Sequence, residues 1–256
     1  FQINDRISFM RFLGLALGET VPVAKTIWNF RDTLAKAGVI ESLFELFGRE
    51  LEARHIVTHK GTIVDATFVD APKQRNSREE NKRIKEGEAP EDWSEHKLRQ
   101  KDTDARWTKK NNEVHFGYKD HVKVDADSKI ITNYAVTSAN VHDSQEFTNF
   151  LDDTDEIVYA DSAYVGKEVP EHVRTEICEK GYRNHPLTEV QKKTNREKSK
   201  IRCRIEHVFG YMTGSMRGIT FRGIGRTRAD FNIGLTNLVY NMCRYATLLQ
   251  PKPTRG

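Results

Sequence analysis

Cysteine is scarce in this chain of 256 residues, which has only Cys178, Cys203 and Cys243. An odd count without a Cys-x-x-Cys pair argues against a disulfide framework and against a cysteine zinc site. Long apolar runs are missing as well: no stretch approaches the length that crosses a bilayer, and no signal peptide is visible. We therefore expect a protein of the reducing cytoplasm.

A strong excess of one charge is also missing, since 41 Lys and Arg stand against 37 Asp and Glu, giving a formal net charge of +4. This balance permits nucleic-acid binding without requiring it. The cations are unevenly spread, and residues 192–204 contain Lys192, Lys193, Arg196, Lys198, Lys200, Arg202 and Arg204 with Glu197 as the single acid. A solvated helix face or a phosphate-contacting stripe would both have this pattern. We favour the stripe, because clustered cations release counterions from DNA.

Aliphatic side chains are nearly absent from residues 74–112, where the charge-dense stretches 76–88 and 97–112 follow one another. Such a segment cannot bury much apolar surface. We predict an exposed, partly disordered, charged insertion here.

Residues 1–58 read as an N-terminal helical domain, because apolar residues recur at helical spacing from Phe9 to Leu17 and beyond. The chain opens at Phe1 in what looks like the inside of a helix, so we expect the true start of this domain to precede it. A helix carrying Trp28 and Arg31 could bind DNA as part of a helix-turn-helix. A plain helical bundle packed on the main domain is at least as well supported.

Residues 59–250 read as a mixed α/β domain. The predicted elements are a strand over 61–70, a hairpin of strands over 114–124 and 129–137, a helix over 142–151, a strand over 156–161, a helix over 166–171, an edge strand over 175–180, and helices over 194–212 and 228–249. An antiparallel meander followed by a parallel strand and flanking helices is the RNase H-like layout. The predicted fold class is therefore α/β, an RNase H-like mixed sheet flanked by helices, with an all-helical domain in front.

Two aspartates stand in apolar strand contexts: Asp65 in mid-strand, and Asp161 at the end of the run 157–160. A carboxylate in such a setting is costly unless it is paired or binds a metal. The carboxyl end of a parallel strand is also where open α/β sheets place their sites. Capping or an ion pair would explain either aspartate alone, but the two together point to a site. Asp70, close to Pro72, is a weaker candidate for the same role.

Glu206 is the third candidate, on the predicted long helix at the edge of its apolar stripe. Arg202 stands one turn earlier, spaced to pair with it or to reach a phosphate. Three hard oxygen ligands suit two Mg²⁺ ions, or Mn²⁺ in their place. Two such ions can support an in-line phosphoryl displacement without a protein nucleophile.

Three segments carry these acids in order along the chain. They are Ile63-Val64-Asp65-Ala66-Thr67, Tyr159-Ala160-Asp161-Ser162-Ala163-Tyr164 and Arg202-Cys203-Arg204-Ile205-Glu206-His207-Val208-Phe209-Gly210. Supporting segments are His115-Phe116-Gly117-Tyr118-Lys119-Asp120-His121 and Ala139-Asn140-Val141-His142-Asp143-Ser144. Together they resemble the motifs of bacterial insertion-sequence transposases of the "insertion sequence five" group, which are DDE transposases with an RNase H-like catalytic domain.

The resemblance implies a metal-dependent DNA transposase that binds its terminal inverted repeats, hydrolyses phosphodiester bonds and transfers strands. Asp65, Asp161 and Glu206 would be both catalytic residues and metal ligands. The implied partner is double-stranded DNA, as transposon ends and as target, bound by a homodimer or larger assembly in a bacterial cytoplasm, associated with the nucleoid. The predicted DNA contacts are Arg196, Lys198, Lys200, Arg202, Arg217, Trp107, Lys109, Lys110 and His142. Trp107 could stack on unpaired bases.

The third motif departs from the group's usual pattern at two positions. Ser199 stands where the group often has Tyr, and Thr213 stands where it often has Lys. Thr213 cannot supply a phosphate-binding charge. We expect Lys198, Lys200 or Arg217 to substitute for it.

Several other polar residues have competing interpretations. Asp143 or Ser144 could cap a helix, which we favour slightly, or the cluster around His142 could contact the active site or DNA. His207 could be a general base or a phosphate contact, although a structural role is favoured.

Two other functions share the pattern: a transposase-derived DNA-binding protein, and an RNase H-like nuclease without strand transfer. The intact triad argues against the first, because binding alone does not need three costly carboxylates. A strand-transfer assay separates the second.

Overall fold

A mixed sheet flanked by helices forms the part of the chain that the computed structural model describes, residues 2–110 and 112–250. The strands are β1 (Thr62–Asp70), β2 (Arg106–Lys110), β3 (Glu113–Asp125), β4 (Ile131–Ser138), β5 (Ile157–Ala160) and β6 (Arg174–Ile177). The α-helices are α1 (Gln2–Asp5), α2 (Ile7–Phe12), α3 (Ala24–Ala37), α4 (Val39–Ala53), α5 (Arg78–Lys85), α6 (Glu95–Leu98), α7 (Phe147–Phe150), α8 (Glu189–Arg202), α9 (Arg204–Gly214) and α10 (Arg226–Leu248). Short 3-10 helices lie at Asp143–Gln145 and Ser162–Tyr164.

The sheet has β1 at its centre. Strand β3 pairs with β1 antiparallel, β4 pairs with β3 antiparallel, and β5 and β6 continue the sheet in parallel on the other side of β1. This is the meander followed by parallel strands that the sequence predicts, and the α/β fold is consistent with an RNase H-like domain. The predicted edge strand near residue 175 is confirmed as β6.

The two faces of β1 pack against different helices. Ile63 and Val69 are fully buried in a large apolar cluster that includes Ile205 of α9 and Ile233 of α10. Val64 faces the opposite side and packs in a smaller cluster with Phe147 and its neighbours. This alternation is what a strand buried on both faces requires.

The predicted long helix over 194–212 is two helices. It breaks at Cys203, which lies between α8 and α9. Helix α8 has no buried residue, because its sequence is dominated by polar side chains, whereas α9 is anchored by Ile205, Val208 and Met212, each 0% exposed. The two halves therefore differ in how firmly they are held to the sheet.

The N-terminal helices α3 and α4 pack on α10, the helix that covers one face of the sheet. Helices α3 and α4, joined at Gly38, both contact α10. Ile40 and Phe44 lie in the same apolar cluster as the sheet, and Arg31 donates a hydrogen bond to Asn232 of α10. These contacts favour the packed bundle over a separate helix-turn-helix, while the proposed boundary at residue 58 stays a prediction.

The charged segment 74–112 contains ordered elements where the sequence suggested partial disorder. Helix α5 begins with a capping box, in which the Ser77 side chain accepts from the Glu80 backbone and the Glu80 side chain accepts from the Ser77 backbone. Trp93 is buried, and its Nε1 donates to Glu80 Oε1 at 2.6 Å. One aromatic anchor and local polar contacts therefore compensate for the missing aliphatic residues, and β2 joins the sheet beside β3.

Two predicted helices are wrong or shortened. No helix forms over 166–171, where Gly166 has a φ of 78° and Pro170 follows; such a backbone does not continue a helix. The predicted helix over 142–151 is reduced to a 3-10 turn and the single turn of α7. Within the described residues, no helix is long and apolar enough to span a membrane.

Candidate active site

Asp65 lies on β1, and Asp161 directly follows the neighbouring strand β5. Ile63 of β1 is in register with Tyr159 of β5, and each aspartate follows two residues later along its chain. Because side chains alternate, Asp65 points with Ile63 to the face of the sheet that α9 covers, and Asp161 is close enough for its charge to act on Asp65. The structure thus brings together two of the residues that the sequence singled out.

The surroundings of Asp65 disfavour its charged form. Burial raises the pKa of the Asp65 carboxyl to about 6, and the nearby charge of Asp161 adds to this effect, against the backbone N–H of Ala66 and the guanidinium of Arg202. The Ala66 N–H donates to Asp65 Oδ1 at 2.8 Å. A second cation close to these carboxylates would relieve their repulsion.

Asp161 also ends the strand. It follows Ala160 directly, and its Oδ1 accepts a hydrogen bond of 2.7 Å from the N–H of Ala163. This capping contact starts the 3-10 helix Ser162–Tyr164 and fixes the direction of the carboxylate. The second carboxylate oxygen is left for another partner.

Glu206 lies in the first turn of α9 and is linked to Asp65 through Arg202. Its neighbour Ile205 is fully buried, while the Glu206 side chain is 59% exposed. Arg202 stands between the acids, with Nη1 at 3.4 Å from Asp65 Oδ2 and at 3.6 Å from Glu206 Oε1. The predicted Arg202–Glu206 pair is therefore present, and the same guanidinium also reaches Asp65.

Comparison with known families decides the identity. Residues 57–242 match the family described as "Transposase DDE domain", and residues 1–33 match the family described as "Transposase domain (DUF772)". The first match covers well over half of the chain. The chain is a DDE transposase. No solved structure matches it.

The match confirms the predicted family at the level of insertion-sequence DDE transposases. It makes the protein a DNA transposase, one of a family of metal-dependent enzymes that cut nucleic acid. The narrower assignment to the "insertion sequence five" group stays a prediction.

The candidate site of the transposase has the donor chemistry that divalent metals require. Carboxylate oxygens are the ligands that Mg²⁺ prefers, and Asp65 and Asp161 are adjacent. Among the described residues, no three His, Cys, Asp or Glu side chains converge closely enough to hold an ion. Glu206 is kept apart from Asp65 by Arg202, whose guanidinium lies between the two carboxylates. The carboxylates suit a positively charged partner, and in this structure the partner of Asp65 and Glu206 is Arg202.

Tyr164 is a buried residue near the site that sequence reasoning missed. It is 1% exposed, and its hydroxyl has no hydrogen-bond partner among the described residues. Burial raises the pKa of Tyr164, and the charges of Asp65, Asp143 and Asp161 add to the shift. Its place within the second matched motif was the one available signal.

Asp143 is also close to the acids and is held by two lysines. Lys119 Nζ donates to Asp143 Oδ1 at 2.7 Å, and Lys110 Nζ donates to Asp143 Oδ2 at 3.2 Å. These contacts lower the pKa of Asp143 although burial opposes them. The expected capping by Asp143 or Ser144 is wrong, because His142 Nδ1 accepts from the Ser144 N–H and caps the 3-10 helix.

The predicted DNA contacts fall into several groups. Arg196, Lys198, Lys200 and Arg202 all lie on α8. Lys200 pairs with Glu197 at 2.7 Å, and Lys198 Nζ donates to the Ile177 carbonyl of β6 at 3.0 Å. Arg196 lines a shallow cavity that opens to solvent. This helix face is therefore partly neutralised by its own neighbours.

Thr213 lies near the C-terminal end of α9, away from Glu206, and Arg217 lies just beyond that end. The helix from Glu206 to Gly214 is about 12 Å long, and Arg217 follows it. The Thr213 hydroxyl donates back to the Phe209 carbonyl at 2.9 Å. Arg217 follows Thr213 by four residues, just beyond the end of α9, and its role in place of the missing lysine stays a prediction.

Trp107, Lys109 and Lys110 lie on β2. Trp107 is 39% exposed, and its ring lies 4.8 Å from that of Phe116. Of these three residues, Lys110 is close enough to Asp65 for its charge to lower the pKa of that carboxyl. It is therefore the predicted contact, besides Arg202, that faces the acids.

Asp70, the weaker candidate for the role of Asp65, lies at the far end of β1. The Asp70 side chain is 58% exposed and approaches His115 Nδ1 at 3.2 Å. His115 stacks on Phe68 with ring centroids 4.0 Å apart, whereas His121 is buried with Thr137 at 2.7 Å. Burial lowers the pKa of His121 to about 4, so it is neutral near pH 7.

Proposed function

We propose that this transposase binds the terminal inverted repeats of its own insertion sequence, hydrolyses a phosphodiester bond at each end, and transfers the freed 3′-ends to target DNA. Asp65, Asp161 and Glu206 are its catalytic residues and the ligands of two Mg²⁺ ions, for which Mn²⁺ can substitute. The observation that carries the proposal is the grouping of these acids: Asp161 lies close to Asp65 across β1 and β5, and the Arg202 guanidinium joins Asp65 to Glu206.

When bound, two such ions supply Lewis acidity to the attacking and leaving oxygens of the phosphodiester. The chain itself orients the acids: the rigid register of β1 and β5 fixes two of them, and the buried stripe of α9 fixes the third. Asp161 is further directed by the Ala163 N–H. Positioning of this kind is the main contribution a protein makes to phosphoryl transfer.

Arg202 has two roles in this proposal. Without metal it holds Asp65 and Glu206 together. With DNA present its guanidinium is close enough to the acids to bind a phosphate oxygen next to the scissile bond, as arginine does through paired N–H donors. Lys110 approaches Asp65 from β2 and is our candidate for a further phosphate contact beside the acids.

DNA binding by the α8 stripe, Trp107, Lys109 and His142 belongs to the same proposal. It is supported by their position on exposed elements next to the acids. Two ends must be joined to one target, so a homodimer or larger assembly on double-stranded DNA is also proposed.

The test is incubation of the purified chain with labelled ends of its own element, with Mg²⁺ and with EDTA, followed by mapping of cleavage positions and of joined products. We expect Mg²⁺-dependent nicks at the element's ends and strand-transfer products. Nicks without joined products would identify a nuclease instead. Binding without any cleavage would identify a transposase-derived DNA-binding protein.

A further inference from the structure

A second cluster of cations surrounds a cavity beside α9. The cavity has a volume of about 220 Å³ and lies between the β3–β4 turn, α9 and α10. Its lining residues are Lys129, His207, Tyr211, Tyr240, Arg244 and Thr247. Among these described residues there are two permanent cations, a histidine and three hydroxyls, but no carboxylate.

Backbone carbonyls anchor the Arg244 side chain and the main chain at Lys129. Arg244 Nε donates to the Ser128 carbonyl at 2.6 Å. The Lys129 backbone is fixed by its own carbonyl, which accepts from the Tyr240 hydroxyl at 2.9 Å. The Lys129 ammonium reaches His207 Nδ1 at 3.2 Å. Within the described chain, neither cation has a carboxylate at ion-pair distance.

The like charges are crowded. Burial lowers the pKa of Lys129, and the charges of Arg244 and Arg204 lower it further. Arg204 has its own partner, Asp127, at 2.9 Å, so the uncompensated charge is that of Lys129 and Arg244. An anion in the cavity would relieve this repulsion.

The backbone at Lys129 also costs energy. Its φ is 61°, in the left-handed region that glycine adopts most easily. A lysine there carries a strain of about 1 kcal/mol or more that glycine would avoid. Position 129 therefore has a lysine where the backbone conformation favours glycine. Strained backbone of this kind is often found at functional sites.

One rim residue of the cavity, His207, is the chain neighbour of Glu206. His207 directly follows Glu206 in α9, so the two side chains leave the helix at the same level, about 100° apart. His207, Tyr211 and Thr247 are exposed and form a rim that solvent reaches. A polyanion lying along α9 past Glu206 would meet this rim.

We propose that the cavity binds a phosphate of the DNA backbone, held by Lys129 and Arg244, next to the strand that is cut. The proposal rests on the proposed function of the chain in DNA cleavage and adds a site to it. The ligand is the phosphodiester group alone, because the lining offers charge and hydroxyls and so reads no base sequence.

The experiment measures duplex binding by fluorescence anisotropy over a range of salt concentrations, for an end sequence and for a scrambled sequence. The variants are Lys129→Gln and, separately, Arg244→Gln. Lys36→Gln is the matched control, since it removes the same charge from a surface lysine that already has a carboxylate partner, Asp32 at 2.8 Å. Thermal unfolding of each variant confirms that it is folded.

For Lys129→Gln we expect affinity to fall about three- to tenfold, equally for both sequences, and the slope of log K against log salt to become shallower by about 0.9. Lys36→Gln should keep the wild-type slope. Lys129→Gln is the decisive variant, because Arg244 also donates to the Ser128 carbonyl and its loss can disturb the turn. A shallower salt dependence in both variants supports a phosphate site formed by Lys129 and Arg244 together.

An unchanged slope in Lys129→Gln, with normal DNA binding by the wild type, overturns this proposal and leaves the proposed function intact. A wild type that binds no duplex overturns both. Inorganic phosphate is titrated as a third arm. If it binds at Lys129 with micromolar affinity while the DNA slope of the variant stays unchanged, the cavity is a site for free phosphate and the backbone proposal is wrong.

Discussion

Asp120 is a carboxylate without a counter-ion in the middle of β3. It is 0% exposed, and its Oδ1 accepts from Asn237 Nδ2 of α10 at 3.0 Å. Its Oδ2 has no hydrogen-bond partner among the described residues, and neither has Asn237 Oδ1. Burial raises the pKa of Asp120 to about 8, so the folded protein keeps this carboxyl protonated near neutral pH.

This raised pKa predicts a pH-dependent stability. The folded pKa lies above the ordinary value of 3.8, so between about pH 4 and pH 8 the unfolded chain releases a proton that the folded chain retains. Stability from this group is therefore full at low pH and is lost as the pH rises through that window. Asp120→Asn should be more stable than the wild type at pH 8, by about 2 kcal/mol or more, because each tenfold change in proton affinity corresponds to about 1.4 kcal/mol.

The measurement is urea unfolding at pH 4.5, 6 and 8. The gain of Asp120→Asn should be smallest at pH 4.5 and largest at pH 8. Asp153→Asn, at an exposed position, is the control and should show no such trend. A gain that does not depend on pH would contradict the assignment of a protonated Asp120.

Asp65 and Asp120 also show what a single residue's context can predict. Both stand inside central strands of the sheet, and the register Asp65↔Val122 and Thr67↔Asp120 puts them on the same face. Sequence reasoning selected Asp65 and Asp161 from strand context and the matched motifs. It could not distinguish a carboxylate of the candidate site from a carboxylate of the core. That distinction depends on which side chain covers each position: Asn237 of α10 covers Asp120, and Arg202 of α8 covers Asp65.

At the scale of elements, α10 meets the sheet through a glycine. A Cβ on Gly234 would overlap the Tyr134 hydroxyl and come within 2.9 Å of Ile40 Cγ1. Gly234→Ala should therefore destabilise the protein, by about 1–3 kcal/mol, as overpacking of a core does. Chemical denaturation measures the change.

Gly210→Ala is the matched control, because it is also a glycine inside a helix but has no atom from outside that helix within 4 Å of its Cβ position. Alanine's higher helix propensity should stabilise this variant by up to about 1 kcal/mol. If both variants changed stability in the same direction, the close approach of α10 to Tyr134 would not be the cause.

The junction of α8 and α9 carries a second prediction. Arg202 is the last residue of α8, whereas Glu206 belongs to α9. In the proposed site, Arg202 and a divalent ion would compete for Asp65 and Glu206. Arg202→Met removes the two ion pairs and should lower the melting temperature of the metal-free protein. It should also enlarge the rise in melting temperature that Mg²⁺ or Mn²⁺ produces. The ion pairs are partly exposed, so the metal-free loss should be about 1 kcal/mol or less.

Arg204→Met removes a similar ion pair, to Asp127 instead of the acids, and should leave the metal-induced rise unchanged. Scanning calorimetry with and without metal compares the two variants. A smaller metal-induced rise in Arg202→Met would show that the arginine assists metal binding rather than competing with it.

The elements were predicted best where periodicity was strong. The strands around the meander and α10 follow directly from apolar alternation and the 3.6-residue pattern. The break at Cys203 has no glycine or proline to mark it, and β2 has only Trp107 as a large apolar residue, so neither had a local signal. β2 forms because β3 extends beyond β1 and offers Glu113–Gly117 for pairing.

At the scale of the whole molecule, the candidate site exists only in the folded chain. Residues 65, 161 and 206 are far apart in sequence; the pairing of β1 with β5 brings Asp161 close to Asp65, and Arg202 links Asp65 to Glu206. Family resemblance supplied the grouping, and the structure adds what the motifs do not contain: Arg202 between the acids, and Lys110 approaching from β2.

The most direct test of this account is Mg²⁺-dependent cleavage of the element's own ends by Asp161→Asn and Glu206→Gln, each compared with Asp70→Asn. All three changes remove one carboxylate charge, but the Asp70 side chain lies apart from the acids and is 58% exposed. We predict that Asp161→Asn and Glu206→Gln bind the ends and lose cleavage by at least about a thousandfold, while Asp70→Asn cleaves at nearly the wild-type rate. Cleavage at the wild-type rate by Glu206→Gln in Mg²⁺ would contradict the assignment of the triad.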